Sequence, residues 1–237
     1  MDYRIVFLAI CTFGLGCLAL SSSAVAGDGT SILSERCASC HDLKGPAPTT
    51  LEKLWQRKGP DLFYAGDKYQ QAWVEAWLQN PQRIRPAGMF YMDHIKPGTK
   101  RDMVDESTLT THIKLNKVDA SAVAESLTAM KPMASLIDAE KHDPTVSPGP
   151  LGEMMFDKFF GCMACHQIEP GFGGLSGPEV YRAGARLKPE FMLSYIRNPQ
   201  AWDPKIWMPN RHVPDVSIQK MVNYMVGLSK EDWDANQ

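Results

Sequence analysis

Cys37-Ala38-Ser39-Cys40-His41 and Cys162-Met163-Ala164-Cys165-His166 are two complete C-x-x-C-H pentapeptides in one chain of 237 residues. The pattern reads as covalent attachment of a c-type haem. Two thiols at i and i+3 stand on one helical turn and can add to the two vinyl groups of a haem. The histidine that follows supplies a nitrogen to the iron. A single match would also suit a redox dithiol or part of a zinc site. Two matches followed by similar downstream sequence favour haem, so two covalent haems are expected.

Cysteine usage agrees. Of the six cysteines, four lie in the two motifs, and Cys11 and Cys17 lie near the N-terminus. There Met1–Arg4 is a short start with one basic residue, Ile5–Leu20 is almost wholly apolar, and Ala24-Val25-Ala26 is an A-x-A cleavage signal. Residues 1–26 are therefore expected to be a signal peptide. Export to the periplasm follows, and no membrane span is expected in the mature chain. The competing readings are a retained anchor, for which the apolar run is short, and lipidation at Cys17, for which Gly14-Leu15-Gly16 is a poor lipobox. No cysteine then remains for a structural disulfide. The formal net charge of −2 and pI near 6.3 argue against nucleic acid and against a strongly basic docking face.

The chain also repeats itself. An offset of 118 residues places Gly59-Pro60 on Gly177-Pro178, Ala65-Gly66 on Ala183-Gly184, Asn80-Pro81-Gln82 on Asn198-Pro199-Gln200, Pro86 on Pro204 and His94 on His212. The haem motifs themselves are offset by 125, so the first half carries extra residues within 42–58. Each copy reads as a few short helices. In the first these are Ser31–Cys37, Tyr69–Gln79 and Ala120–Met130. In the second they are Gly152–Phe160, Pro189–Ile196 and Ser217–Leu228, the last with Ile218, Met221, Val222, Met225 and Leu228 at helical spacing. The expected fold class is all-α, with two tandem small helical domains, 27–130 and 151–237, each around one haem. The proline-rich stretch 131–150 joins them. A charged insertion over about 95–117 reads as a solvated loop or, alternatively, as a lid or docking surface.

At this point the residues resemble class I cytochromes c of the two-domain dihaem type, over nearly the whole mature chain. The resemblance implies a proximal histidine, a Gly-Pro whose carbonyl orients it, and a distal methionine in a Met-Pro step. The second copy offers all three as His166, Gly177-Pro178 and Met208-Pro209. A thioether opposite imidazole favours ferrous iron, and the proline stiffens its loop. The first copy offers His41 and Gly59-Pro60 but no Met-Pro. The register puts Phe90 where Met208 stands, a one-residue shift selects Met89, and Met92 and His94 are the alternatives. The family also packs a glycine and an aromatic between its first and last helices. Tyr224 suits that role in the second copy, whereas Ser126 occupies the matching place in the first. Arg83, Arg85 and Arg197 are candidates to pair with haem propionates.

The function this implies is an exported carrier that passes single electrons between redox protein partners: a dehydrogenase, a terminal oxidase or a membrane complex. No enzyme motif stands beside the haem motifs. Two alternatives stay open. One is a cytochrome subunit held permanently by a periplasmic dehydrogenase or respiratory complex. The other is a catalytic dihaem oxidase or peroxidase working at the first haem.

Overall fold

The computed structural model describes residues 28–233, so the expected signal peptide lies outside the described residues. Eleven α-helical segments occur among them: α1 Gly29–Ile32, α2 Leu51–Trp55, α3 Ala65–Lys68, α4 Gln71–Gln79, α5 Lys117–Thr128, α6 Ser135–Asp138, α7 Leu151–Met154, α8 Ala183–Arg186, α9 Pro189–Arg197, α10 Pro199–Trp202 and α11 Asp215–Leu228. α1 and α7 each run on into a π turn, Leu33–Cys37 and Met155–Phe159, closed by Ala38 N–H to Leu33 O and Phe160 N–H to Met155 O. Two small antiparallel hairpins complete the set. β1 Ile95–Lys96 pairs with β2 Met103–Val104, and β3 Gln167–Glu169 with β4 Phe172–Gly173. Among the described residues no helix is long and apolar enough to cross a membrane.

The long helices form where the apolar periodicity put them. α5 is capped by Asn116, whose side chain accepts from Asp119 N, and buries Ala120, Val123, Ala124 and Leu127. α9 starts on Pro189 at its first turn and stops at Asn198, ahead of Pro199. α11 buries Ile218, Met221, Val222 and Met225. Two apolar cores result. The first joins Ile32 and Leu33 to Val74 and Leu78 of α4 and to α5. The second joins Phe156 to Met192, Leu193 and Ile196 of α9 and to α11. Each fully buried Leu or Ile contributes about 1.5–3 kcal/mol of hydrophobic stabilisation.

Small residues let the opening helices meet the closing ones. A Cβ on Gly29 would run into Ala122 O and Ser126 Oγ, and one on Gly152 would meet the Tyr224 ring at 2.9 Å. The glycine–aromatic crossing thus holds in the second half, while the first half crosses on glycine and serine. The closer approach at Gly29 follows from the smaller partner.

A third core lies between the halves, where Ala47, Phe63 and Tyr64 meet Phe191 and Trp202. Met133, Leu136 and Ile137 pack against it, so the stretch 131–150 holds a helical turn, α6, and contributes to this seam. An isolated antiparallel bridge pairs Tyr69 with Leu187. Its two hydrogen bonds, Gln70 N–H to Arg186 O and Lys188 N–H to Lys68 O, are both 3.0 Å. The 118-residue repeat makes Tyr69 equivalent to Leu187, and it exchanges the Gln70–Arg186 bond with the Lys188–Lys68 bond. A contact that maps onto itself when its partners are exchanged is isologous, the signature of a local two-fold axis. The Gln70 side chain adds bonds to Gly184 O and Leu187 O at 2.8 and 3.0 Å, and Lys188 Nζ donates to Gly66 O.

Candidate functional site

Both C-x-x-C-H motifs fold into the same turn. Cys40 N–H reaches Cys37 O at 3.1 Å and His41 N–H reaches the same oxygen at 3.0 Å. The counterparts, Cys165 and His166 onto Cys162 O, are both 3.1 Å. The first thiol of each pair sits deeper than the second: Cys37 is buried and Cys162 half-buried, whereas Cys40 and Cys165 are exposed. Burial raises the Cys37 thiol and pushes Cys162 up to about 11, so both are protonated at neutral pH.

The two histidines are held alike. His41 Nδ1 lies 2.8 Å from Pro60 O and His166 Nδ1 lies 2.7 Å from Pro178 O. A carbonyl only accepts, so Nδ1 carries the proton and Nε2 keeps a lone pair for a metal. Burial lowers both histidine pKa values against the opposing effect of that carbonyl, which favours the neutral, ligating imidazole. The glycine ahead of each proline makes the room. A Cβ on Gly59 would stand 2.5 Å from His41 Cε1, and one on Gly177 would stand 2.7 Å from both Cε1 and Nδ1 of His166. Only glycine lets the chain pass this close to the ring while presenting the next carbonyl to it. A turn with two free thiols and a neutral, oriented imidazole fits a covalent haem on both motifs. The residues that would hold it are Cys37, Cys40 and His41 in one case and Cys162, Cys165 and His166 in the other.

Other expected site residues are spread around these turns. Met208 is partly buried against the second core, its carbonyl accepting from Gln200 Nε2 at 2.8 Å. Met89 is partly buried, Met92 is 59% exposed, and His94 Nδ1 bonds Thr108 Oγ1 at 2.9 Å. His212 has a positive φ of 49° and is exposed. Two of the arginines are engaged by carboxylates. Arg83 pairs with Glu106 at 2.7 Å, and Arg197 pairs with Glu140 at 2.9 Å and with Asp215. Arg85 reaches across the seam to Ser176 O at 3.2 Å, and burial lowers its pKa.

Two features escaped the sequence reading. Arg57, its side chain 11% exposed, lies at the seam between Asp61, 2.6 Å away, and Asp203 of the other half, 2.5 Å away. The Arg57–Asp61 contact is out of line for a hydrogen bond, and Arg57 Nε has no partner. Burial lifts the Asp61 carboxyl to about 6 in spite of Arg57. A cleft of about 640 Å³ opens beside this group and is lined by Cys40, His41, Lys53 and Arg57. Its signal in sequence was faint, since a lone Arg-x-x-x-Asp on a polar stretch is common. The second feature is His112, whose ring centre lies 6.1 Å from that of His41. It sits inside the segment read as an insertion, and its relation to His41 exists only in the folded chain.

The aromatic residues pack as neighbours. Tyr69, just ahead of α4, stacks on Trp73 at 5.8 Å, and Trp73 stacks on Trp77 along the helix at 5.6 Å. Trp202 is fully buried and donates Nε1–H to Ser194 Oγ at 3.0 Å. Trp55, Phe90 and Trp207 form a partly exposed cluster with ring centres 5.3–6.3 Å apart.

Searches of protein-family models and of solved structures returned no match to this chain. Among curated proteins, the chain is 31% identical to cytochrome c-551 of Allochromatium vinosum over 91 residues. That alignment takes in 35% of this chain and 94% of the relative. With nearly all of that protein covered at this identity, and with the thiol–histidine turns described above, the chain belongs to the cytochrome c family.

Proposed function

We propose that the chain is a dihaem c-type cytochrome, exported to the periplasm, that transfers single electrons between redox protein partners. One haem is held by Cys37, Cys40 and His41, the other by Cys162, Cys165 and His166, with Met208 as the second axial ligand of the latter. The observation that carries this reading is the duplicated construction. Each motif presents two thiols on one turn and a histidine whose Nδ1 is bound, at 2.8 or 2.7 Å, to the carbonyl of the proline in a Gly-Pro step. When bound, the haem supplies one-electron chemistry at iron. The protein residues position it and set its potential: His41 and His166 by their oriented lone pairs, Met208 by a thioether that favours ferrous iron. Residues that saturate both faces of an iron leave no open position for a substrate, which favours transfer over catalysis.

Mass measurement of the mature protein tests the reading, with the chain plus two haems expected. Replacing Cys162 and Cys165 by alanine is expected to remove one haem and leave the other. Retention of both, or a protein with one haem to begin with, would overturn it.

A permanent subunit of a larger oxidoreductase is the second reading. Trp55 and Trp207, 42% and 48% exposed in one aromatic cluster, favour it, because tryptophan is enriched where partners dock. Co-purification that survives high salt would select it over a free carrier.

A further inference from the structure

We propose that His112 is the second axial ligand of the first haem, giving that iron two imidazoles while the second iron has imidazole and thioether. This rests on the reading that Cys37, Cys40 and His41 hold a haem. Four observations carry it.

The first is proximity. The rings of His41 and His112 are 6.1 Å apart centre to centre, with planes at 58°. An iron bonded at about 2 Å to one nitrogen of an imidazole on each side spaces the ring centres by roughly 6 Å. The second is the tautomer. His112 Nδ1 lies 2.8 Å from Ile113 O, so its proton is committed to a carbonyl and Nε2 keeps its lone pair, as in His41.

The third is support. The Trp77 ring lies edge-on to His112 at 4.6 Å. Leu115, buried at 3% exposure, donates its N–H to Leu78 O at 2.9 Å and ties the segment to the end of α4. A ligand needs this kind of packing to hold one rotamer. The fourth is position in the chain. Met208 lies on the irregular stretch that feeds α11, and His112 lies on the one that feeds α5. Measured from the closing helix instead of from Asn-Pro, His112 falls within two residues of the place of Met208, five residues ahead of α5 where Met208 is seven ahead of α11.

The residues around Met89 are engaged elsewhere. Phe90 packs on Trp55 and Trp207 at 5.7 and 5.3 Å. Tyr91 O–H donates to Asp102 at 3.0 Å, and Met92 is 59% exposed. His94 is bound to Thr108 beneath Gly88.

The consequence is directional. A methionine opposite histidine raises the potential of a haem, and a second imidazole does not. The first haem is therefore the lower of two steps, and electrons run from the first half to the second.

The test uses the intact protein after mass measurement has established two haems. Low-temperature electron paramagnetic resonance, the thioether-to-iron charge-transfer band and a stepwise redox titration are read on the wild type, His112→Met, His112→Ala and Met89→Ala. The wild type is expected to show one bis-imidazole and one imidazole–thioether haem. His112→Ala is expected to lose the bis-imidazole signal and to bind carbon monoxide at one haem. His112→Met is expected to raise the lower step and add a second charge-transfer band, and it decides the matter if the alanine variant fails to fold. Met89→Ala is expected to leave both signals in place. Two thioether bands in the wild type, or a haem opened by Met89→Ala and untouched by either His112 variant, would overturn the assignment alone. A protein with no haem at Cys37 and Cys40 would overturn it together with the reading on which it rests.

Discussion

His41 and His166 stand on the same turn, face the same glycine and give the same proton to the same kind of carbonyl. The chain that returns over them differs. In the second half it comes back after a short excursion through α10, and Met208-Pro209 sits close ahead of α11. In the first half it runs through a 3₁₀ turn at Tyr91–His94, the β1–β2 hairpin and a second 3₁₀ turn at Glu106–Thr108 before α5. What lies near the histidine is then decided by the end of the excursion, where the closing helix packs. The residue that a gap-free register puts opposite Met208 sits near its beginning. The lesson is that an insertion between two packed helices leaves their contacts in place and displaces every residue counted from the near side.

The largest effect is expected from Met208. Met208→Ala should abolish the thioether charge-transfer band of one haem and lower the upper redox step by on the order of 100 mV. An unchanged spectrum and potential would make Met208 a core residue and erase the contrast between the halves. Next comes the glycine that each half places on its histidine. Gly177→Ala puts a Cβ 2.7 Å from the His166 ring and 2.9 Å from Cys165 O. An overpacked change of this kind costs about 1–3 kcal/mol, and it should disturb the second haem's spectrum and leave the first alone. Gly161→Ala, at φ 67° but in open space, should cost about 1 kcal/mol from backbone strain with no spectral change. Thermal melts followed in the haem bands compare the two.

The seam supplies a pH test. Asp61 titrates near 6 in the folded protein against 3.8 for a free carboxyl. Between those values the folded state holds the proton more tightly than the unfolded one. The stability it contributes is therefore full below pH 3.8 and lost as pH rises to about 6. Relative to Asp61→Asn, the wild type should lose on the order of 1–3 kcal/mol between pH 4 and 7. Denaturant midpoints of both proteins at the two pH values check this, and parallel curves would refute it. The smallest effect should come from Arg83→Ala. Its partner Glu106 and Arg83 itself are exposed, at 67% and 46% of their side chains, so the change should fall within about 0.5 kcal/mol by urea unfolding.

Much of the helical framework was legible from apolar spacing and punctuation. α9 begins at Pro189 and ends before Asn198-Pro199, as those residues dictate. α11 starts two residues earlier than its apolar stripe suggested, because Pro214 can lead into a helix and Asp215 suits its first turn. The π turns at Leu33–Cys37 and Met155–Phe159 and the two hairpins were not legible. A π turn carries no residue signature of its own, and two-residue strands fall below any period that can be counted. The Arg57–Asp61–Asp203 group was equally hidden, since its members meet only when the halves close on each other.

The sequence by itself determined the turn on which attachment is proposed. Two thiols and a histidine must act within one turn, and a turn is local, so spacing alone specifies it. The Gly-Pro steps belong to the same category, because a missing Cβ and a fixed φ are properties of single residues. Tertiary structure decided what is brought near those histidines from afar: Met208 into the second core, His112 beside His41, and Tyr69 against Leu187 at the seam. Those neighbours depend on where a closing helix docks and on how two repeated surfaces meet. Packing energy spread over many side chains sets both, and no short motif records it.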